Sequence, residues 1–353
     1  MQEITVSAPG RICLFGEDVD YMSLEVITLA INQRIVVRGK ITDNGKLQFN
    51  LHDVNKLIEF RNEKQVISNE RDYVASSFNL YQEHLPATFG AEIEIRSDLL
   101  IGKGLSSSSA FTSALVAFFD KAANFESSKS EIAKRAYLAE VVNLGESGGM
   151  MDHYASVIGD ILYLECREPY LHEKINIELE GLVIGDTLEK KKNTVEALAK
   201  RKQEIHLGIK ELKNLDDDFN LRNYPIERAI QFYQEKRSSN IQRLIGVLGI
   251  RDTVREGYEL LKSGKEFDEE IAELLNRHHF YQSTYFENVT DKMQKLVDLA
   301  INAGAKGCKL LGTGNGGSFL AFSPGKEKEV MQAINKGGGK AYIVKQDNGL
   351  EFS

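Results

Sequence analysis

A loop rich in glycine and serine, set between an alternating segment and a long apolar one, most constrains the fold of this chain. The loop GKGLSSSSA, Gly102 to Ala110, follows AEIEIRS and leads into AFTSALVAFFDKAA. The alternation predicts a strand, and the apolar run predicts a buried helix. Backbone N–H groups at the start of such a helix favour a bound phosphate. The GxxxxGK[ST] pattern of a Walker loop is absent, and the serines are also those of an ordinary helix cap.

A second glycine loop, GTGNGG, spans Gly312 to Gly317 between the apolar segments GCKLL and SFLAF. Four glycines in six positions permit positive φ angles and the close approach of a ligand to the backbone. A glycine-rich hairpin is the alternative, because Asn-Gly is a common signal for a tight turn.

The N-terminal segment APGRICLFGEDVDYM, Ala8 to Met22, combines Arg11 with a cluster of carboxylates. Glu17, Asp18 and Asp20 share the short turn after Gly16, which concentrates acceptors for hydroxyl donors. A polyol-binding site needs such a cluster, and a solvated acidic turn is the alternative.

The segment GESGGMMDHYASVIG places Asp152 at the start of a helix of small and apolar residues. A carboxylate on an apolar helix face is costly to bury without a partner, so we expect a cation or a hydroxyl near Asp152. His153 is interpreted as a surface or hydrogen-bonded histidine, because no partner lies at a recognisable spacing.

The chain of 353 residues exceeds the usual size of one hydrophobic core, which favours two domains. We expect an α+β fold divided into residues 1–168 and 169–353. The charged segment Glu189 to Lys213 is predicted to form a solvated amphipathic helix.

Composition excludes several classes of function. The 44 Lys and Arg against 52 Asp and Glu give a net charge of −8, without the basic footprint of a nucleic-acid or membrane binder. Cys13, Cys166 and Cys308 are far apart and suit reduced, buried thiols. No secretory signal and no apolar run long enough for a membrane span are present, so we expect a cytoplasmic protein.

Taken together, the motifs resemble a known family. APGRICLFGEDVDYM, GKGLSSSSA and KLLGTGNGG occur in the order of the three signature motifs of the GHMP kinases, which include galactokinase, homoserine kinase, mevalonate kinase and phosphomevalonate kinase. MMDHYASVIG resembles the catalytic-aspartate segment of galactokinases. The resemblance implies an N-terminal domain like the second domain of ribosomal protein S5 and a ferredoxin-like C-terminal domain.

The resemblance also implies a set of site residues. Asp152 would face the acceptor hydroxyl with Arg11 beside it, and Ser108 and Glu140 would coordinate Mg²⁺. The residues implied in ATP binding are Gly102, Gly104, Leu105, Ser106, Ser107, Ser108, Ser109, Gly312, Gly314 and Gly316. The residues implied in substrate binding are Glu17, Asp18, Asp20, Tyr21 and Gly149.

The implied activity is transfer of the ATP γ-phosphate to a hydroxyl, at the anomeric position, of galactose or a related hexose, by a monomer or homodimer. The usual galactokinase turn reads GEHTDYN, whereas here Asp18 replaces the histidine and Met22 replaces a polar residue. A carboxylate facing the sugar predicts a neutral or amino hexose and rejection of sugar acids; an Asp18 that points to solvent is the alternative.

Two other functions are alternatives to a sugar kinase. One is a mevalonate-type kinase, although EDVDY and MMDHYAS match galactokinases better. The other is a non-catalytic sugar sensor. Retention of Arg11, Ser108, Glu140 and Asp152 argues against a sensor, because a binding module has no need of a metal ligand together with an acceptor-facing carboxylate.

Overall fold

The computed structural model describes residues 2–67, 72–146, 148–190, 194–264 and 267–353. These residues form two compact units, each built from separate stretches of the chain. The first unit contains the described residues up to Arg11, Leu29–Leu162 and Gln346–Ser353. The second contains Ile12–Thr28 and Tyr163–Lys345. The division into domains 1–168 and 169–353 cuts the chain only once and remains a prediction about its modular organisation.

Strands and helices occur in both units. The strands are β1 (Glu3–Phe15), β2 (Glu25–Thr42), β3 (Lys46–Leu51), β4 (Lys56–Arg61), β5 (Gly90–Ser97), β6 (Ile161–Glu165), β7 (His172–Ile175), β8 (Leu182–Asp186), β9 (Gly307–Leu311), β10 (Ser318–Phe322), β11 (Lys340–Val344) and β12 (Glu351–Phe352). The α-helices are α1 (Tyr73–Asn79), α2 (Ser107–Ala122), α3 (Lys129–Tyr137), α4 (Met151–Ile158), α5 (Thr194–Leu215), α6 (Ile226–Lys236), α7 (Ser239–Lys262), α8 (Asp268–Tyr281), α9 (Asp291–Asn302) and α10 (Glu327–Lys336). Both units mix helices and sheet, which confirms the α+β prediction.

The sheet that organises the first unit has the strand order β12-β1-β2-β5-β3-β4. Strands β3 and β5 are parallel, with Leu47 opposite Ala91, whereas β2 and β5 are antiparallel. Burial alternates along β5, so one face of this strand packs inward. Helix α2 supplies Phe118 and Phe119 to the core, and Gly39 on β2 leaves the space that the Phe118 ring occupies.

Helices α3 and α4 carry the polar residues of the first unit. Ser128 and Glu131 form a capping box at the start of α3. The last turns do not continue as a regular helix: residues Leu138–Val142 form a π turn that contains Glu140. Such turns occur frequently at functional sites because they redirect side chains.

The sheet of the second unit is antiparallel with the strand order β11-β8-β10-β9. In chain order this is the 4-1-3-2 arrangement, with α9 before the second strand and α10 before the fourth, as expected of a ferredoxin-like domain. Its core includes Val183, Leu310 and Phe319 from the strands and Met293 and Leu296 from α9.

Helices α5 to α8 lie between β8 and α9 in the chain. Residues 191–193 of the segment predicted as a solvated helix lie outside the described residues. Glu189 and Lys190 are not helical, and α5 covers the segment from Thr194 onward. That prediction is wrong for one polar residue, because Arg201 is buried together with Ile205 and Leu212.

The three cysteines are buried and unbonded to one another, as predicted. Across the residues that the structure describes, no helix combines the length and the apolar character that a membrane span requires.

Candidate functional site

Arg11 and Asp152 form an ion pair in the first unit. Strand β1 carries Arg11, which is 3% exposed, and the first turn of α4 carries Asp152. Arg11 Nε donates to Asp152 Oδ1 at 2.8 Å, and Nη2 lies 2.6 Å from the same oxygen. The Asp152 side chain remains 28% exposed. The cation expected beside Asp152 is therefore Arg11, and the contact uses one carboxylate oxygen.

Arg11 also bonds the glycine- and serine-rich loop. Its Nη1 donates to the Gly104 carbonyl at 2.7 Å, and its backbone N–H donates to the Leu105 carbonyl at 3.1 Å. Gly10 makes this approach possible, because a Cβ there would lie 2.9 Å from the Leu105 oxygen. One arginine thus ties the loop to the carboxylate that opens α4.

The loop itself is held in an unusual backbone conformation. Gly102, Gly104 and Ser106 have φ angles of 71°, 84° and 57°. Helix α2 begins at Ser107, yet Ser106 makes no capping hydrogen bond through its side chain. Its buried Oγ has no hydrogen-bond partner among the described residues. Ordinary capping therefore does not account for Ser106, and an unpaired hydroxyl at a helix N-terminus favours an anion.

Ser107 and Ser108 are half-buried and Ser109 is buried. Ser107 Oγ accepts from the Gly102 N–H at 3.4 Å, and the Ser108 carbonyl accepts from the Thr112 hydroxyl at 2.9 Å.

Glu140 and His153 are buried together in the first unit. Oε2 of Glu140 lies 2.7 Å from Nε2 of His153, and the His153 ring packs edge-on against Tyr137. His153 Nδ1 has no hydrogen-bond partner in the described part of the chain. The interpretation of His153 as a hydrogen-bonded histidine is confirmed, in a buried rather than a surface position.

The donors assigned to Mg²⁺ fit it in chemistry. Magnesium takes oxygen ligands and is commonly held by one or two carboxylates together with phosphate oxygens and water. Glu140 supplies a carboxylate and Ser108 a hydroxyl. Within the described ranges no group of three His, Cys, Asp or Glu side chains is arranged to hold a metal.

The acidic turn of the second unit is buried. Gly16 has a φ of 101°, and a Cβ there would lie 2.8 Å from the Val26 side chain. Glu17, Asp18 and Asp20 are all at most 8% exposed. The alternative of a solvated acidic turn is therefore wrong, because three carboxylates are withdrawn from water and require compensating groups.

Lys309 and His278 provide compensation for Glu17. Lys309, which is fully buried in β9, places Nζ 3.3 Å from Glu17 Oε2 and donates to the Cys13 carbonyl at 2.7 Å. His278 Nε2 accepts from the N–H groups of Gly16 and Glu17 at 3.2 and 3.3 Å. Burial, and next the Lys309 charge, hold the pKa of His278 well below its usual value. The imidazole is thus a neutral acceptor.

Arg201 provides compensation for Asp18. Its Nη1 lies 2.7 Å from Asp18 Oδ2, and both side chains are almost completely buried. Its Nη2 donates to the Thr313 carbonyl at 3.1 Å, and the guanidinium lies 5.3 Å from the centre of the Phe286 ring. The alternative that Asp18 points to solvent is wrong, because the left-handed backbone at Asp18, φ 63°, turns its carboxylate toward α5.

Tyr21 adds a polar group to the same turn. Its buried hydroxyl has no hydrogen-bond partner among the described residues, and Lys202 Nζ lies 5.6 Å from the ring centre. Burial, and next the Asp18 carboxylate, raise the pKa of Tyr21 well above its usual value. The hydroxyl is therefore neutral and able both to donate and to accept.

The loop Gly312–Gly317 is packed on Asn288. Asn315 N–H donates to the Asn288 carbonyl at 2.7 Å, and a Cβ on Gly314 would lie 2.4 Å from that oxygen. Gly314 is thus required by the packing of the protein itself. Nucleotide binding by Gly312, Gly314 and Gly316 remains a prediction, as does substrate binding by Gly149, which precedes α4.

Sequence reasoning missed Lys309, His278 and Arg201. Lys309 carried a usable signal, because an ionisable residue inside the apolar segment GCKLL needs a buried partner. His278 and Arg201 lie on charged, amphipathic helices, where nothing local distinguishes them from surface residues.

Three family models match the chain. The GHMP kinases N terminal domain matches residues 72–160, the galactokinase galactose-binding signature matches residues 1–40, and the GHMP kinases C terminal model matches residues 260–340. The matched segments include Arg11, the acidic turn, both glycine loops and Asp152.

Relatives match over nearly the whole chain. A mevalonate kinase of Pyrococcus abyssi is 28% identical, covering 97% of this chain and 95% of its own. A galactokinase of Mannheimia succiniciproducens is 27% identical, covering 98% and 92%. The crystal structure of Lactococcus lactis galactokinase complexed with galactose superposes with a TM-score of 0.85 at 20% identity, covering 99% and 95%.

The fold and the matched domains identify this protein as an ATP-dependent phosphotransferase that acts on an alcohol group of a sugar or other small molecule. The chain belongs to the GHMP kinase superfamily and carries the galactose-binding signature of galactokinases. The predicted fold class, with its ferredoxin-like C-terminal domain, is confirmed.

Proposed function

We propose that this kinase transfers the γ-phosphate of ATP to the anomeric hydroxyl of galactose or a related hexose. The observation that carries the proposal is the galactose-binding signature at residues 1–40, within which the acidic turn is buried and compensated. A turn whose carboxylates are held by Lys309 and Arg201 is a preorganised set of acceptors, not a loose surface loop.

Sugar recognition requires acceptors and donors in fixed positions, because each hydroxyl both donates and accepts. In the second unit, Glu17, Asp18 and Asp20 supply acceptors. The unpaired hydroxyl of Tyr21 supplies a group that can do either. A buried hydroxyl without a protein partner is costly, and a ligand hydroxyl would remove that cost.

Nucleotide binding is proposed for the loop Gly102–Ser109 in the first unit. GHMP kinases use ATP, and the unpaired Ser106 hydroxyl together with the N-terminus of α2 suits its phosphates. Ser108 and Glu140 would hold Mg²⁺, which when bound offsets the negative charge of phosphate oxygens.

Proton handling is proposed for Asp152. Arg11 anchors Oδ1, so the second carboxylate oxygen can accept a hydrogen bond from the acceptor hydroxyl and orient or deprotonate it. Arg11 stabilises negative charge that develops on the transferring group. Phosphoryl transfer depends mainly on such positioning and charge stabilisation.

A mevalonate-type kinase is the second candidate, because mevalonate kinases are among the relatives that match almost the whole chain. Its substrate is a hydroxy acid with one reacting alcohol. The cytoplasmic location and the monomeric or homodimeric state remain predictions.

The experiment is a substrate screen that measures ADP release with Mg·ATP and galactose, other free hexoses or mevalonate. Phosphorus NMR of the product then locates the phosphate. We expect an anomeric hexose phosphate, with turnover lowered about 10²- to 10⁴-fold by Asp152→Asn. Turnover of mevalonate alone would establish the second candidate, and ligand binding without ADP release would indicate a sensor.

A further inference from the structure

Two carboxylates of the acidic turn, those of Glu17 and Asp18, each have a cationic partner within the second unit. Lys309 faces Glu17, and Arg201 faces Asp18 with 2.7 Å between Nη1 and Oδ2. Side-chain exposures of 6% for Arg201 and 4% for Asp18 leave little water to screen this contact. A close pair in such surroundings acts on a nearby ligand largely as a dipole, because the two fields cancel with distance.

Three contacts fix the position of the Arg201 guanidinium. Besides Asp18, it bonds the Thr313 carbonyl and lies over the Phe286 ring. Arginine suits this position because its planar group forms hydrogen bonds in its plane and stacks through its face. The pairing of Arg201 with Asp18 is therefore built into the unit rather than a transient surface contact.

We propose that Arg201 is a specificity-determining residue that cancels the charge of Asp18 toward the substrate. The inference rests on the proposed sugar-kinase function and deepens it. The sequence alone gives Asp18 a full negative charge, which predicts attraction of amino sugars and rejection of sugar acids. With Arg201 paired to Asp18, the enzyme gains no ion pair with an ammonium group and does not repel a carboxylate through Asp18. The enzyme therefore selects its substrate through hydrogen bonds to neutral hydroxyl groups.

The test compares kcat/KM for galactose, galactosamine and galacturonate at saturating ATP in the parent and in Arg201→Gln. Because each variant is judged by the ratio of kcat/KM between two sugars, a loss of activity that a disturbed Thr313 contact causes for all sugars cancels. Exposing the Asp18 charge should raise the galactosamine-to-galactose ratio and lower the galacturonate-to-galactose ratio, each by about tenfold. The double variant Asp18→Asn with Arg201→Gln should restore the parental ratios, and it remains testable if the single variant does not fold, since it leaves no buried unpaired charge.

Arg243→Gln is the matched control. Arg243, on α7, also bonds carboxylates, those of Glu204 and Glu287, and the backbone carbonyl of Tyr285, and it belongs to no proposed site. The kcat/KM ratios between sugars in Arg243→Gln should equal those of the parent. The proposal is overturned if Arg201→Gln leaves the ratios unchanged, or if the double variant alters them when the single variant cannot be made. A parent that phosphorylates no sugar overturns the proposed function and this inference together.

Discussion

His278 accepts a hydrogen bond from the backbone N–H of Glu17, a residue 261 positions earlier in the chain, with 3.3 Å between the two nitrogens. The same Nε2 accepts from Gly16, so the proton of the neutral ring is on Nδ1. That buried Nδ1 has no hydrogen-bond partner in the described residues. The protein thus accepts an unpaired donor in order to hold the turn that carries Glu17.

Replacing His278 by leucine should leave two backbone donors without their acceptor. We expect a loss of about 1–3 kcal/mol in the free energy of unfolding, together with a rise in KM for the sugar that exceeds the fall in kcat. Denaturant unfolding and steady-state kinetics measure the two effects. His278→Asn, which retains an acceptor, should recover part of the sugar affinity.

His279→Leu serves as the matched control for this variant. His279 is also largely buried, and its Nδ1 accepts from the Leu310 N–H at 3.3 Å, away from the acidic turn. The His279→Leu variant should lose stability and keep the parental KM for the sugar. Equal changes of KM in the two variants would mean that His278 has no particular role in positioning Glu17.

Acidification should destabilise the protein through the same histidine. Burial and Lys309 lower the pKa of His278 in the folded state below its ordinary value of 6.5, while the unfolded chain retains that value. Below about pH 6.5 the unfolded state therefore binds a proton that the folded state does not. Stability is retained above that pH and is lost as the pH falls toward the folded-state pKa.

Denaturant unfolding at pH 7.5, 6.5 and 5.5 tests the sign of this effect. The fall in stability between pH 6.5 and 5.5 should be smaller in His278→Asn than in the parent. Burial also lowers the pKa of His279, so part of the dependence should survive in the variant. An identical pH dependence in parent and variant would show that His278 titrates normally in the folded protein.

The sheets and loops of this protein are largely predictable from local sequence, whereas the pairs in the acidic turn are not. Alternation and apolar runs locate β5, β9 and β10. Strand β1 runs through Pro9 and Gly10, where the Ser156 hydroxyl donates to the Pro9 carbonyl and Gly10 packs on Leu105.

Residues that come into contact only in the folded chain give no local signal in the sequence. Lys309 lies 292 positions from Glu17, and Arg201 lies 183 positions from Asp18. From sequence alone, a charged residue on an amphipathic helix is predicted to be solvated. The part of the protein that packs over it is known only from the folded structure. The composition of the acidic turn was therefore predictable, but its electrostatic balance was not.

Ser106→Ala separates a structural from a ligand-binding role for the serine loop. The Ser106 hydroxyl is buried without a partner, so its removal should leave the unfolding free energy of the ligand-free protein unchanged or slightly higher. If that hydroxyl binds phosphate, the affinity for Mg·ATP should fall by about tenfold. Calorimetric titration and denaturant unfolding give the two quantities. A variant that loses about 1 kcal/mol of stability and binds nucleotide normally would identify Ser106 as a helix cap instead.

Glu140→Gln tests whether the π turn of the first unit presents a metal ligand. The amide keeps the size of the carboxylate and can still form a hydrogen bond with His153 Nε2, so the fold should survive. Loss of the negative charge should raise the Mg²⁺ concentration needed for half-maximal activity, by about tenfold or more, and weaken Mn²⁺ binding to the nucleotide complex measured by electron paramagnetic resonance. Glu131→Gln, which keeps the capping box of α3 and removes only its charge, should reduce stability slightly and leave both metal measurements unchanged. If Glu140→Gln instead loses stability while both metal measurements stay parental, Glu140 serves to anchor His153 in the core, and the carboxylate that holds Mg²⁺ must be sought elsewhere.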